Sequence, residues 1–154
     1  MAALDLGSGT IKLSVFQRQG GRWAALWLEE ANTELRRGMG PERTLKPGPI
    51  ADTLAAVRGF QAKARELGVE RLPAYATSAV RKAGNPQDLL APLSAMGVET
   101  KVLGEEDEGR LNLLGATARN LSSPPVKPSS IGLSGTPLPS PQRRGEGVLI
   151  CGAW

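Results

Sequence analysis

Apolar and polar positions alternate along the first thirty residues in the manner of strands. Residues 2–5 and 10–18 read as two strands about the turn Gly7-Ser8-Gly9. In the second, Ile11, Leu13 and Val15 alternate with Lys12, Ser14 and Phe16, which turns one face to a core. Gly20-Gly21 is a hairpin signal, and residues 22–29 follow as a third strand, with Trp23, Ala25 and Trp27 expected on one side. A looser extended piece, 32–37, ends at Gly38-Met39-Gly40.

The period then becomes helical. Ile50, Leu54, Val57, Gln61, Ala64 and Leu67 share one stripe, which only Gln61 interrupts, and Gly68 suits a C-terminal cap. Residues 72–76 read as a short strand and 78–83 as a helical turn. Asn85-Pro86 opens a helix that Pro92 is expected to kink or split. A strand over 98–103 and a helix over 105–119, with Leu111, Leu114 and Ala118 inward, complete the pattern. The order β-β-β-(β)-α-β-α-β-α describes an α/β lobe with a mixed sheet, its first strands antiparallel and its later ones helix-connected.

Composition changes sharply at residue 122. Residues 122–147 hold six of the twelve prolines and six serines, a makeup that removes backbone donors and offers little to bury. The expected division is therefore a folded lobe over 1–121 and a low-complexity, irregular tail over 122–154, with 148–154 as a short apolar scrap that suits a strand. With no interruption-free apolar run near the ~20 residues of a membrane span, and Asp5 breaking any signal-peptide core, a cytoplasmic protein is expected.

Charge and side-chain inventory narrow the chemistry. There is no histidine and one cysteine, Cys151, so His-based triads, His-ligated metals and an internal disulfide are excluded. Any general acid or base must be a carboxylate, a lysine, Tyr75 or Cys151. The net charge of +4 is spread along the chain rather than clustered, and few aromatic residues stand beside basic ones. Nucleic-acid binding is not expected. A mildly positive surface suits a polyanionic substrate.

Three motifs carry candidate chemistry. In Asp5-Leu6-Gly7-Ser8-Gly9-Thr10, two glycines let backbone N–H groups approach an anion, Ser8 and Thr10 add hydroxyls, and Asp5 suits a hydrated divalent cation. A plain Gly-rich hairpin with a turn aspartate has the same letters. In residues 76–83, ATSAVRKA, a strand end delivers Thr77 and Ser78 onto a helical turn, and Arg81 adds a phosphate clamp. A simple N-cap with a solvated arginine is the competing reading. In residues 104–110, GEEDEGR, four carboxylates open a helix. They are a favourable cap, or they present one acid, crowded by like charges, that orients or deprotonates water.

Together the motifs resemble the exopolyphosphatase / guanosine pentaphosphate phosphohydrolase family of the sugar kinase–Hsp70–actin superfamily. AALDLGSGT over 2–10, ATSAVRKAGN over 76–85 and GEEDEGRLNLLG over 104–115 match its three signatures in order. The resemblance implies an RNase H-like (actin-like ATPase) lobe, and Mg²⁺ held at Asp5. It places phosphate binding at Gly7, Ser8, Gly9, Thr10, Thr77, Ser78 and Arg81, and makes Glu108 the base. It implies hydrolysis of the terminal phosphate of inorganic polyphosphate or of pppGpp. The sequence departs from the family at Gly9 (usually Asn) and Gly109 (usually Ala), and no second Asp-x-Gly-Gly-Gly-Ser loop occurs. An interrupted reading frame is therefore expected, with weak or no turnover by the chain alone and a second lobe or a homodimer as partner. The alternatives are a non-catalytic anion-binding half-domain, or part of another actin-like ATPase or sugar kinase.

Overall fold

The computed structural model describes residues 1–110 and 129–130. Its strands are β1 (Ala2–Leu6), β2 (Thr10–Gln19), β3 (Arg22–Asn32), β4 (Ala74–Ala76), β5 (Thr100–Val102) and β6 (Ser129–Ser130). Its helices are α1 (Pro47–Glu66), α2 (Ser78–Arg81) and α3 (Gln87–Ala95), with residues 105–110 also helical. They form one sheet in the order β5-β4-β1-β2-β3-β6. β1–β2 and β2–β3 are antiparallel, while β4 joins β1, β5 joins β4 and β6 joins β3 in parallel. The expected mixed-sheet α/β lobe is what forms. Of the tail, only Ser129–Ser130 is described, beside Glu29 and Glu30 of β3. The rest of the tail, expected to be irregular, the piece 148–154, expected to suit a strand, and Leu111, Leu114 and Ala118, expected inward, lie outside the described residues.

Alternation decides what the sheet buries. Leu4, Leu6, Ile11 and Leu13 are wholly buried, and Phe60, Val57, Leu89 and Leu93 of the helices join them in one core. The neighbouring positions form a polar row, in which the register sets Glu30, Lys12, Asp5, Tyr75 and Lys101 side by side across five strands.

Four local expectations need correction. Trp23, Ala25 and Trp27 do not share a face, because Val15 pairs with Trp27 and Phe16 with Ala25, leaving Leu26 as an extra residue. One inserted residue turns the strand over, so Trp27 joins the core side while Trp23 and Ala25 do not. Ile50, Leu54, Val57, Ala64 and Leu67 meet the core as expected, but the buried stripe of α1 also includes Thr53 and Phe60. Gln61 is spared because its Nε2 donates to the Met96 carbonyl (3.1 Å), tying α1 to the end of α3. α3 continues through Pro92 without splitting and ends at Met96 and Gly97, whose positive φ of 74° suits glycine. Finally, residues 33–37 are no extension of β3. Glu34 has φ 45°, and the chain turns there.

Candidate functional site

The site starts from a pairing constraint. Leu6 of β1 faces Ile11 of β2, so residues 7–10 must reverse the chain in four positions. A Cβ on Gly7 would stand 2.5 Å from the Thr10 carbonyl oxygen, so only glycine fits. Gly9 has open space around it and an unstrained φ, so nothing steric requires glycine there. Among the described residues, the N–H groups of Gly7, Ser8 and Gly9 have no backbone acceptor.

The carbonyls of this loop, by contrast, are held. Gly9 O accepts from the N–H groups of Thr33 (3.0 Å) and Glu34 (2.7 Å), and Ser8 O accepts from that of Arg36 (3.0 Å). In a trans peptide the N–H points opposite to the C=O. Fixing Ser8 O toward residues 33–36 therefore aims the Gly9 N–H away from them, the polarity an anion-binding turn needs. Sequence reading missed this segment. Its alternating burial, with Thr33 and Leu35 buried and Glu34 and Arg36 exposed, imitates a strand. Thr33 Oγ1 is buried without a hydrogen-bond partner among the described residues.

On the other side, β4 runs parallel to β1 and delivers Thr77 beside the loop. The Thr77 N–H donates to Leu6 O (3.3 Å), and the Ser78 and Ser8 hydroxyls lie 3.2 Å apart. Thr77 precedes α2 but its side chain makes no capping bond. The expected juxtaposition of the first two motifs is thus present. Arg81, one turn on, is committed to protein acceptors. Its NH1 donates to Leu103 O (2.7 Å) and to Glu108 Oε2 (2.9 Å), and its NH2 to Glu105 Oε1 (3.4 Å). The hydrogen bond to Glu108 chiefly strengthens its hold on its proton. Glu108 is half-buried, and its second oxygen has no partner among the described residues.

Asp5 lies at the end of β1 between Lys12 and Tyr75. Burial raises its proton affinity, Lys12 opposes the shift, and the charge of Glu108 adds to it. The fold therefore brings the Asp5 and Glu108 carboxylates into one electrostatic neighbourhood. Among the described residues no cluster of three or more acidic or sulfur ligands occurs. Asp5 supplies a hard carboxylate oxygen of the kind that Mg²⁺ takes alongside waters and phosphate oxygens. Thr10 stands half-buried at the start of β2, and its side chain makes no bond among the described residues.

Residues 14–125 match the Ppx/GppA phosphatase family. The chain is similar to Exopolyphosphatase 1 of Mycobacterium leprae, 36% identical over 121 residues, covering 74% of this chain and 34% of that one. Against Exopolyphosphatase 1 of Mycobacterium tuberculosis the identity is 31% over 116 residues, with the same coverage. The chain thus spans about a third of these relatives' length. A crystal structure of the Aquifex aeolicus Ppx/GppA family member superimposes with TM-score 0.69 at 27% identity, covering 75% of this chain and 38% of that one. An exopolyphosphatase from Cytophaga hutchinsonii shares the fold at TM-score 0.72 and 22% identity, covering 76% and 38%.

Proposed function

This chain belongs to the Ppx/GppA phosphatase family, and we propose that it supplies the phosphate-loop wall of a site hydrolysing the terminal phosphoanhydride of inorganic polyphosphate. The observation that carries this reading is the meeting of Ser8 with Ser78, and of Arg81 with Glu108, beside a turn whose N–H groups at residues 7–9 have no backbone acceptor among the described residues. The N–H groups of residues 7–9 and the hydroxyls of Ser8, Thr10, Thr77 and Ser78 bind the terminal phosphate. Arg81 holds one oxygen of Glu108, so that the other receives a proton from water. The water oxygen bonds to the terminal phosphorus, the bridging P–O bond breaks, and the shortened chain leaves with the bond pair. Asp5 would hold Mg²⁺, which supplies neutralising charge on the phosphates. Positioning and charge stabilisation carry most of such a reaction.

pppGpp presents the same terminal group and is the competing substrate. For the 154-residue polypeptide itself we propose binding with negligible turnover, because only one glycine-rich phosphate loop occurs in it. Losing a transition-state donor costs about 10²–10³ in rate. The test is phosphate release from long-chain polyphosphate by this polypeptide joined to a second lobe of the family. E108Q is expected to lower release by about 10²–10⁴. Unchanged release by E108Q would remove Glu108 as the base, and robust release by the polypeptide alone would overturn the need for a second lobe.

A further inference from the structure

The side chain expected to clamp phosphate, Arg81, already donates to two glutamates and a carbonyl. An incoming anion would have to compete with Glu105 and Glu108 for it. The fold holds another arginine against the same loop. Ser8 is contacted through its hydroxyl by Ser78 and through its carbonyl by the backbone of Arg36. The Arg36 side chain is exposed and forms no ion pair among the described residues. Its neighbour Arg37 is engaged, with NH1 2.9 Å from Glu34 and NH2 3.5 Å from Asp52.

The segment bearing Arg36 is anchored from three sides. Leu35 is wholly buried. The Glu34 backbone holds a left-handed φ of 45°, a strain offset by its bond to Gly9 O. Farther on, Asn85 both accepts from the Leu45 N–H (2.7 Å) and donates to the Leu45 carbonyl (3.1 Å), while the Gly84 N–H donates to Arg43 O (2.9 Å). The last letters of the second motif thus pin the loop that carries Arg36.

We infer that Arg36 is a further polyphosphate-binding residue, its side chain reaching round the rim of the loop to phosphate units beyond the terminal one, which sits on the opposite, N–H side of residues 7–10. This rests on the phosphate-loop reading proposed above. A planar guanidinium with no carboxylate to satisfy pairs bidentately with phosphate oxygens, and a chain charged at every unit offers them beyond its end.

The test is calorimetric titration of the 154-residue chain with inorganic polyphosphate, comparing wild type with R36Q, R36K and R37Q at two salt concentrations. Binding is expected to weaken about tenfold in R36Q, consistent with one lost charge-assisted hydrogen bond, to recover partly in R36K and to change little in R37Q. Thermal unfolding of R36Q is expected to match wild type, since the Arg36 bond to Ser8 uses backbone. Equal affinities of R36Q and wild type would overturn the inference and leave the phosphate-loop reading intact. Equal weakening by R36Q and R37Q would also overturn it, by showing diffuse charge attraction. If wild type fails to bind polyphosphate, both readings fall.

Discussion

The phosphate loop has two flanks, and each brings an arginine to it in a different electrostatic state. On the α2 flank Arg81 lies between Glu105, Glu108 and the Leu103 carbonyl, so its charge orients a carboxylate. On the 33–37 flank, Arg36 forms no ion pair among the described residues, while its backbone fixes the loop carbonyl of Ser8. The comparison teaches that proximity to a phosphate loop does not define a phosphate ligand. Charge balance matters as well, because the two carboxylates that face Arg81 offset the charge it could offer an anion.

The largest test breaks the 33–37 flank alone. L35A empties a wholly buried position and is expected to cost about 2–5 kcal/mol, read as a lower Tm. It should also weaken polyphosphate binding at least as far as R36Q does, since it loosens the turn that carries Arg36. Unchanged binding in a folded L35A protein would detach this flank from the site.

A smaller test sharpens the other flank. E108Q removes a negative charge beside Arg81 and Asp5. Polyphosphate affinity, measured by titration, should rise a few-fold even as hydrolysis in the joined protein falls. Weaker binding in E108Q would mean that Glu108 serves binding rather than proton transfer.

The smallest effect concerns Asp5. Because burial raises its proton affinity in the folded state, the native form binds the proton more strongly than the unfolded chain. The stability this confers is present at acid pH and is lost as pH rises from the ordinary aspartate range through the raised folded value. D5N should flatten that loss in chemical unfolding across mildly acid pH. An identical pH slope in D5N would remove Asp5 as its source.

Much of the α2 flank was legible in the sequence, and the physical reason is local. Gly7 is demanded by the 2.5 Å approach of a carbonyl, and Thr77 and Ser78 follow directly on a parallel strand that ends beside β1. These constraints leave letters in short motifs. The direction of β4 also follows from α1, which returns the chain from β3, itself aligned with β1 through two antiparallel pairings. The 33–37 flank was illegible because its signal is tertiary. Thr33 and Leu35 alternate with Glu34 and Arg36 as a strand would, and only the positive φ at Glu34 reveals the turn. The face of Trp27 was misread for a related cause, since a single unpaired Leu26 has no sequence mark. Nor does periodicity distinguish a free arginine from a paired one, as that depends on residues 105–108 reaching Arg81 across the sheet edge.

The central claim is that residues 7–10 seat a phosphate with Arg36 on their rim. Amide chemical shifts during polyphosphate titration test it most directly, with G7A as the control. The account predicts saturable shifts at Gly7, Ser8, Gly9 and Arg36, no response at the distant hairpin Gly20-Gly21, and loss of the loop shifts in G7A. Shifts spread evenly over exposed basic residues, or an undisturbed 7–10 loop at saturation, would contradict it.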